Sequence, residues 1–153
     1  MTNSKSNSEE LTPQELAWRE YVFDYDIAVS GEVIEREIKY IELDLRHRMQ
    51  YDKLSGGDDH FFPEQEIADQ ANEIRKAAIF EAKEPLVLAK IIALYEIDVT
   101  SEELEIEAKK VAHRQGTSIE SVKRFFGDDF SMLRRDIVER KAMELVLNTE
   151  RFV

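Results

Sequence analysis

Acidic side chains and one histidine crowd a single glycine turn: Asp58, Asp59, His60, Glu64 and Glu66 lie in or just after Leu54-Ser-Gly-Gly-Asp-Asp-His60. Oxygen donors at that density are what a hard cation needs. The turn chemistry supports a plainer reading. Ser, Gly and Asp form turns, and charges at a loop tip keep it solvated. A di-iron bundle requires Glu-x-x-His on two helices. Here only Asp44-Leu-Arg-His47 comes near, once and with the wrong acid, and His47, His60 and His113 are scattered. The absence of cysteine rules out disulfides, thiolate metal sites and cysteine nucleophiles, and no serine stands in a glycine elbow. We therefore expect no catalytic residue, no metal and no cofactor.

Apolar residues on the same turn suggest binding instead. Tyr51, Leu54, Phe61 and Phe62 flank it, far from any predicted core. Exposed together, they form the kind of surface that holds another chain; the alternatives are mutual packing or a dimer contact. Met49 and Met132 add adaptable apolar contacts, although a methionine on a stripe is ordinarily core. Phe125, Phe126, Phe130 and Met132 crowd Gly127, where meeting helices favour core packing. Trp18, Tyr21 and Phe23 form an aromatic cluster expected to pack on the body. The acidic run Glu102 to Glu107 reads as a solvated helix face.

Helices must position these groups. Thr12-Pro13-Gln14-Glu15, Thr100-Ser-Glu-Glu103 and Thr117-Ser-Ile-Glu120 each match a capping box, in which threonine and glutamate satisfy each other's end of the first turn. Gly116 and Gly127 stand where helices should stop in the left-handed conformation. The alternation from Phe23 to Val29 suggests an extended stretch. From Gly31 to Asp52 a long helix carries Ile34, Ile38, Ile41, Leu45 and Met49 as one stripe. Tyr40 and Leu43 lie off the stripe, which suggests cover on more than one side. Glu35/Lys39 and Glu42/Arg46 are spaced as intrahelical ion pairs. Pro63 opens the next helix, whose stripe is Ile67, Ala71, Ile74, Ala78 and Ala82, and Pro85 is expected to kink or break it. A nearly all-apolar helix, Leu86 to Glu96, then forms the centre of the body. Thr100–Gln115, Ser118–Phe126 and Asp129–Asn148 complete the set.

The predicted fold is all-α: an elongated helical hairpin, the arm (about 30–84), and a compact helical body (about 85–150). Together these make a single domain, 12–153, after a disordered tail, 1–11. Five glycines and three prolines in 153 residues argue against a β-rich fold. A net charge of −12 disfavours nucleic acid and anionic membrane surfaces as partners. No apolar run is long enough to span a bilayer. The polar N-terminus has no apolar h-region, so a cytoplasmic location is expected.

From Leu86 to Leu147 the order of signals resembles the C-terminal, substrate-cradling domain of the bacterial trigger factor chaperones. The resemblance rests on Leu86-Val-Leu-Ala-Lys-Ile-Ile-Ala-Leu-Tyr-Glu and the strand-like Ile97-Asp-Val99. It continues through Glu102-Glu103-Leu104, Val111-Ala112, Gly116, Ile119-Glu-Ser-Val122 and Phe125-Phe126-Gly127, and ends in Leu133-Arg-Arg-Asp-Ile137, Lys141-Ala142 and Leu145. At the start of the first arm, Ser30 stands where the family usually has proline. The segment is also similar to the helical module of SurA-type periplasmic chaperones, against which the missing signal peptide counts. No glycine-phenylalanine-arginine loop for ribosome docking occurs, and a β-rich isomerase module has no room. The resemblance thus implies an ATP-independent chaperone module for unfolded or nascent polypeptides, without ribosome anchoring or prolyl isomerisation. The other function class is a helical scaffold for one dedicated partner or a homodimer, because the hairpin stripe suits a specific interface equally well.

Overall fold

The computed structural model describes residues 10–57, 60–127 and 129–151. Most of the expected tail, with Asp58 and Asp59, falls outside them. Among the described residues the chain is all-α, without a strand: α1 (Pro13–Asp24), α2 (Gly31–Leu54), α3 (Pro63–Asp69), α4 (Ala71–Leu94), α5 (Ser101–Gln115), α6 (Ile119–Phe126) and α7 (Ser131–Arg151). Contacts divide it into two units, Met1–Val87 and Leu88–Val153, with α4 contributing to each.

In the first unit, Thr12 caps α1. Its Oγ1 accepts from Glu15 N at 3.1 Å and donates to Glu15 Oε1 at 3.2 Å, with Pro13 opening the helix. The helix buries Trp18 and Val22, and its aromatic cluster is fastened to α4. Trp18 Nε1 donates to Glu84 Oε2 at 2.7 Å, Lys83 Nζ donates to the Phe23 carbonyl at 2.7 Å, and the Phe23 and Phe80 rings lie 6.0 Å apart. These contacts hold Phe23 and Asp24 in the helix, so the stretch expected to be extended begins later. They also account for the largest correction: α4 runs unbroken through Pro85. The proline still forfeits one backbone bond, but Phe80, Ala82, Val87 and Leu88 are buried on either side of it, and that burial outweighs the loss.

The break comes earlier, at Gln70 (φ −100°, ψ 14°), whose side-chain amide donates to the Glu66 carbonyl at 3.2 Å. The helix expected from Pro63 is therefore two, and Ala71 is exposed rather than part of the buried stripe. α2 buries no side chain at all; its stripe from Ile34 to Met49 is half-covered, and Tyr40 and Leu43 are exposed rather than packed. Polar pins fix it antiparallel to the chain beyond the turn. Arg46 makes a two-pronged pair with Glu64 at 2.8 Å, and Glu35, earlier on α2, meets Arg75 on α4 at 3.3 Å. Both residues thus bond across the hairpin rather than to the i,i+4 neighbours expected from spacing.

The second unit carries an apolar cluster of Val99, Leu104, Ala108, Ala112, Val122, Phe130, Leu133 and Ile137, and also buries Leu88, Ile91, Ala142 and Val146. Thr100 and Glu103 complete a full capping box. Gly116 (φ +63°) closes α5 in a Schellman turn, its N–H bonding to the His113 carbonyl and the Thr117 N–H to the Ala112 carbonyl. Because Thr117 is used there, the cap of α6 is Ser118, bonded to Ser121 N, rather than the expected Thr117 with Glu120. Gly127 has a positive φ (+95°), but its ψ of 156° is extended, not the expected left-handed helical value. Phe130 takes the left-handed conformation instead (φ +55°), a strain offset by burying its ring.

Residues 97–99 are not a strand. Their carbonyls go to α7: Lys141 Nζ donates to the Asp98 carbonyl at 2.9 Å and Arg134 to that of Val99 at 3.1 Å. The apolar segment beginning at Leu86 is also less central than expected; Leu86, Leu94 and Tyr95 are exposed. Nor is the acidic run merely solvated. Leu104 is core, Glu107 meets Arg140 at 3.6 Å and Glu103 meets Lys141 at 2.7 Å. The Lys141 bond, aided by the Thr100 amide, lowers the Glu103 carboxyl from 4.5 to about 2.

Two stability tests follow from this unit. A Cβ at Gly116 meets nothing within 4 Å, so Gly116→Ala should cost only the left-handed backbone penalty, about 1–2 kcal/mol. Gly116→Asn should cost less; urea denaturation checks both. The lowered Glu103 carboxyl stabilises the fold above its ordinary 4.5 and ceases to as pH falls through about 2. The stability gap between the natural chain and Glu103→Gln, followed by the same method, should therefore narrow towards pH 2.

Candidate functional site

The end of the hairpin is where the expected binding residues gather. α2 closes with Ser55 N bonded to the Tyr51 carbonyl at 2.9 Å and Gly57 N to the Asp52 carbonyl at 2.7 Å. Gly56, at φ +81°, makes the reversal. Around this turn Tyr51 is 71% exposed, Leu54 86%, Phe61 79% and Phe62 75%. Apolar side chains of this size normally find cover, so four left open around one turn form a surface suited to apolar contact. Met49 is half-buried on the α2 stripe one turn before them. Met132, more than half exposed, stands at the start of α7 in the second unit. Of the four residues at the Gly127 corner, Phe130 is core, Phe126 packs against it, and Phe125 and Met132 are exposed, so core packing holds for only half of that group.

A polar clasp holds the tip in shape. His60 Nε2 donates to Asp52 Oδ2 at 3.1 Å, and its Nδ1 faces both Glu66 oxygens at 3.0 and 3.1 Å. One residue of the turn thus joins the end of α2 to the start of α3. Ionised carboxylates only accept hydrogen bonds, so satisfying both at once requires the imidazolium, with a proton on each nitrogen. The Asp52 and Glu66 bonds accordingly raise the His60 pKa above 6.5. His60 and Glu66, which by sequence were candidate cation ligands, are thus engaged with each other. Among the described residues no group of His, Asp or Glu is arranged to hold a metal ion. The residue missed by sequence reading is Asp52; its position in the last turn of α2, facing a histidine across the glycine reversal, was the available signal.

The bonded geometry also explains the charge pattern of the hairpin. Bonding to Arg46 lowers the Glu64 carboxyl, and the same bond raises Arg46. Acid, base and histidine lock the neck of the hairpin, while the apolar groups at its end remain open.

The clasp has a sign in pH. A histidine raised in the folded state contributes its full stability below 6.5 and loses it as pH rises through the raised value. The His60 ring protons, followed by NMR, should titrate above 6.5, and Asp52→Asn should move the midpoint down. An unchanged midpoint in that variant would show that the clasp does not form.

The family model for the C-terminus of bacterial trigger factor protein matches residues 8–148. A trigger factor of Lactobacillus gasseri is 35% identical over 79 residues, covering 52% of this chain and 17% of its own length. One of Alkaliphilus metalliredigens is 23% identical over 122 residues, covering 79% of this chain and 28% of its own length. The chain thus spans less than a third of either relative. No solved structure matches it significantly. Among the described residues no helix is long and apolar enough to cross a membrane. With the family model matched from residue 8 to residue 148 and the all-α fold in agreement, the chain belongs to the family of bacterial trigger factor C-termini.

Proposed function

We propose that this chain is an ATP-independent chaperone module that holds unfolded or nascent polypeptides through apolar surface, chiefly at the hairpin tip. The observation that carries the proposal is the joint exposure of Tyr51, Leu54, Phe61 and Phe62 around one clasped turn. Membership of a trigger factor family supports the chaperone class, and the matched region is the cradle rather than the isomerase module. Binding of this kind needs no catalytic group, metal or ATP. Client segments lose apolar exposure while held and leave when they bury that surface in their own core.

Full burial of one large apolar side chain is worth about 1.5–3 kcal/mol. Four partial burials sum to less than about 12 kcal/mol, and association and ordering of the partners remove at least about 4 of it, so contact at the tip alone is weaker than the roughly 8 kcal/mol of a micromolar complex. Diffuse contact of this strength suits a holdase, which must release what it binds. Met49 and Met132 supply adaptable contacts of lesser weight. Homodimerisation through the same surface is the competing use of the tip.

The protein should slow aggregation of an unrelated denatured client without ATP or metal, and should not accelerate prolyl isomerisation. Replacing Tyr51, Leu54, Phe61 and Phe62 together by serine should weaken suppression while circular dichroism and melting temperature stay nearly unchanged. Intact suppression in that variant would remove the tip as the binding surface. A monomer–dimer shift on substitution, with suppression unchanged, would assign the tip to self-association.

A further inference from the structure

The second unit carries a cationic face that the tip does not explain. On α5, Ile106, Lys109, Lys110, His113 and Arg114 recur at helical spacing and line one shallow depression of about 530 Å³. Leu104, Ala108 and Ala112 bury the opposite face in the core. A second depression of about 560 Å³, between α5 and α7, shares Ile106, Lys110 and Arg114. Of its other charges, Glu103 is paired with Lys141 and Glu107 with Arg140, which leaves the single carboxylate of Glu144 against Lys110 and Arg114. Among the described residues Lys109, Lys110 and Arg114 have no ion-pair partner. The dipole at the C-terminus of α5 accounts for cations in its last turn. It does not account for Lys109 and Lys110 a turn earlier, nor for an isoleucine left 55% exposed beside them. On a chain of net charge −12, unpaired cations beside an open apolar side chain are a local reversal of sign.

We propose that this face of α5 binds polypeptide segments in which an apolar side chain is followed by carboxylates at alternate positions. The spacing supports an extended occupant. Ile106, Lys110 and Arg114 succeed one another every four residues, about 6 Å along a helix. Alternate residues of an extended chain lie about 6.6 Å apart on one face. One apolar group and two carboxylates therefore register with Ile106, Lys110 and Arg114 in turn, and Lys109 neutralises the flank. A protein segment fits better than a nucleic acid, because the patch is small, has an apolar end, and the surrounding chain is strongly acidic. The site gives an acidic chaperone module a way to accept acidic segments, which the rest of its surface repels. It belongs to the second unit and shares no residue with the tip, so substitution of either leaves the residues of the other unchanged.

The test uses the full chain and fluorescein-labelled peptides holding one leucine, with glutamates two and four positions after it. Matched peptides carry glutamine or lysine at those positions. In fluorescence anisotropy at about 50 mM salt, the glutamate peptide should bind about tenfold tighter than the glutamine peptide, the scale of two exposed charge pairs. About 0.5 M salt should erase the difference. The double variant K110E/R114E should lose the glutamate preference and gain one for lysine, whereas the fourfold serine variant of the tip should keep the glutamate preference. Equal binding of glutamate and glutamine peptides to the natural chain overturns the proposal without reference to any variant. So does a charge-reversed chain that still prefers glutamate, and so does a thymidine oligonucleotide binding more tightly than the glutamate peptide.

Discussion

A proline inside a helix removes a backbone bond and crowds the preceding turn, at a cost of about 3 kcal/mol. α4 carries Pro85 and stays helical, and both units draw core residues from that helix. Ile74, Ala78, Phe80, Ala82 and Val87 lie in the first unit, Leu88 and Ile91 in the second. Within the first unit α1 supplies the compensation. Trp18 reaches Glu84 and the Phe23 carbonyl takes Lys83, so two anchors fall immediately before the proline. Remove that packing and the helix has its natural stop where sequence places it.

The hairpin obeys the opposite economy. α2 is 24 residues long and buries no side chain. A helix with so little cover gains little from the hydrophobic effect, so its placement falls to directional polar pairs: Arg46 with Glu64, Glu35 with Arg75, and His60 with Asp52 and Glu66. Exposed pairs are individually weak, but they fix geometry without consuming apolar surface. That surface therefore remains available at the tip, which is the property a holding module requires.

Local chemistry was legible in the sequence and distant compensation was not. The Thr100–Glu103 box and the glycine stop at Gly116 depend on neighbours within one turn, and both form. The four apolar residues around the glycine turn were recognisable as exposed because nothing nearby can cover them. Pro85 misled because its penalty is local, whereas its relief comes from Trp18, which bonds Glu84 from 66 residues away. Thr117 misled because two motifs compete for it, and closing α5 wins. The strand-like Ile97-Asp-Val99 has the right residue types, but Arg134 and Lys141 bond its carbonyls from α7. Glu35 and Arg46 were spaced for intrahelical pairs, and only the hairpin geometry reveals their partners across it. Ile106 was hidden among glutamates that read as a solvated face.

The proposed holding function requires contact between the hairpin tip and unfolded polypeptide. Site-specific photo-crosslinkers at Leu54 and Phe62, with an exposed control at Glu120 on α6, measure that contact directly. With a denatured client in excess, client adducts are expected at the two tip positions and few at the control. Equal yields at all three positions, or adducts only to a second copy of this chain, would contradict that function.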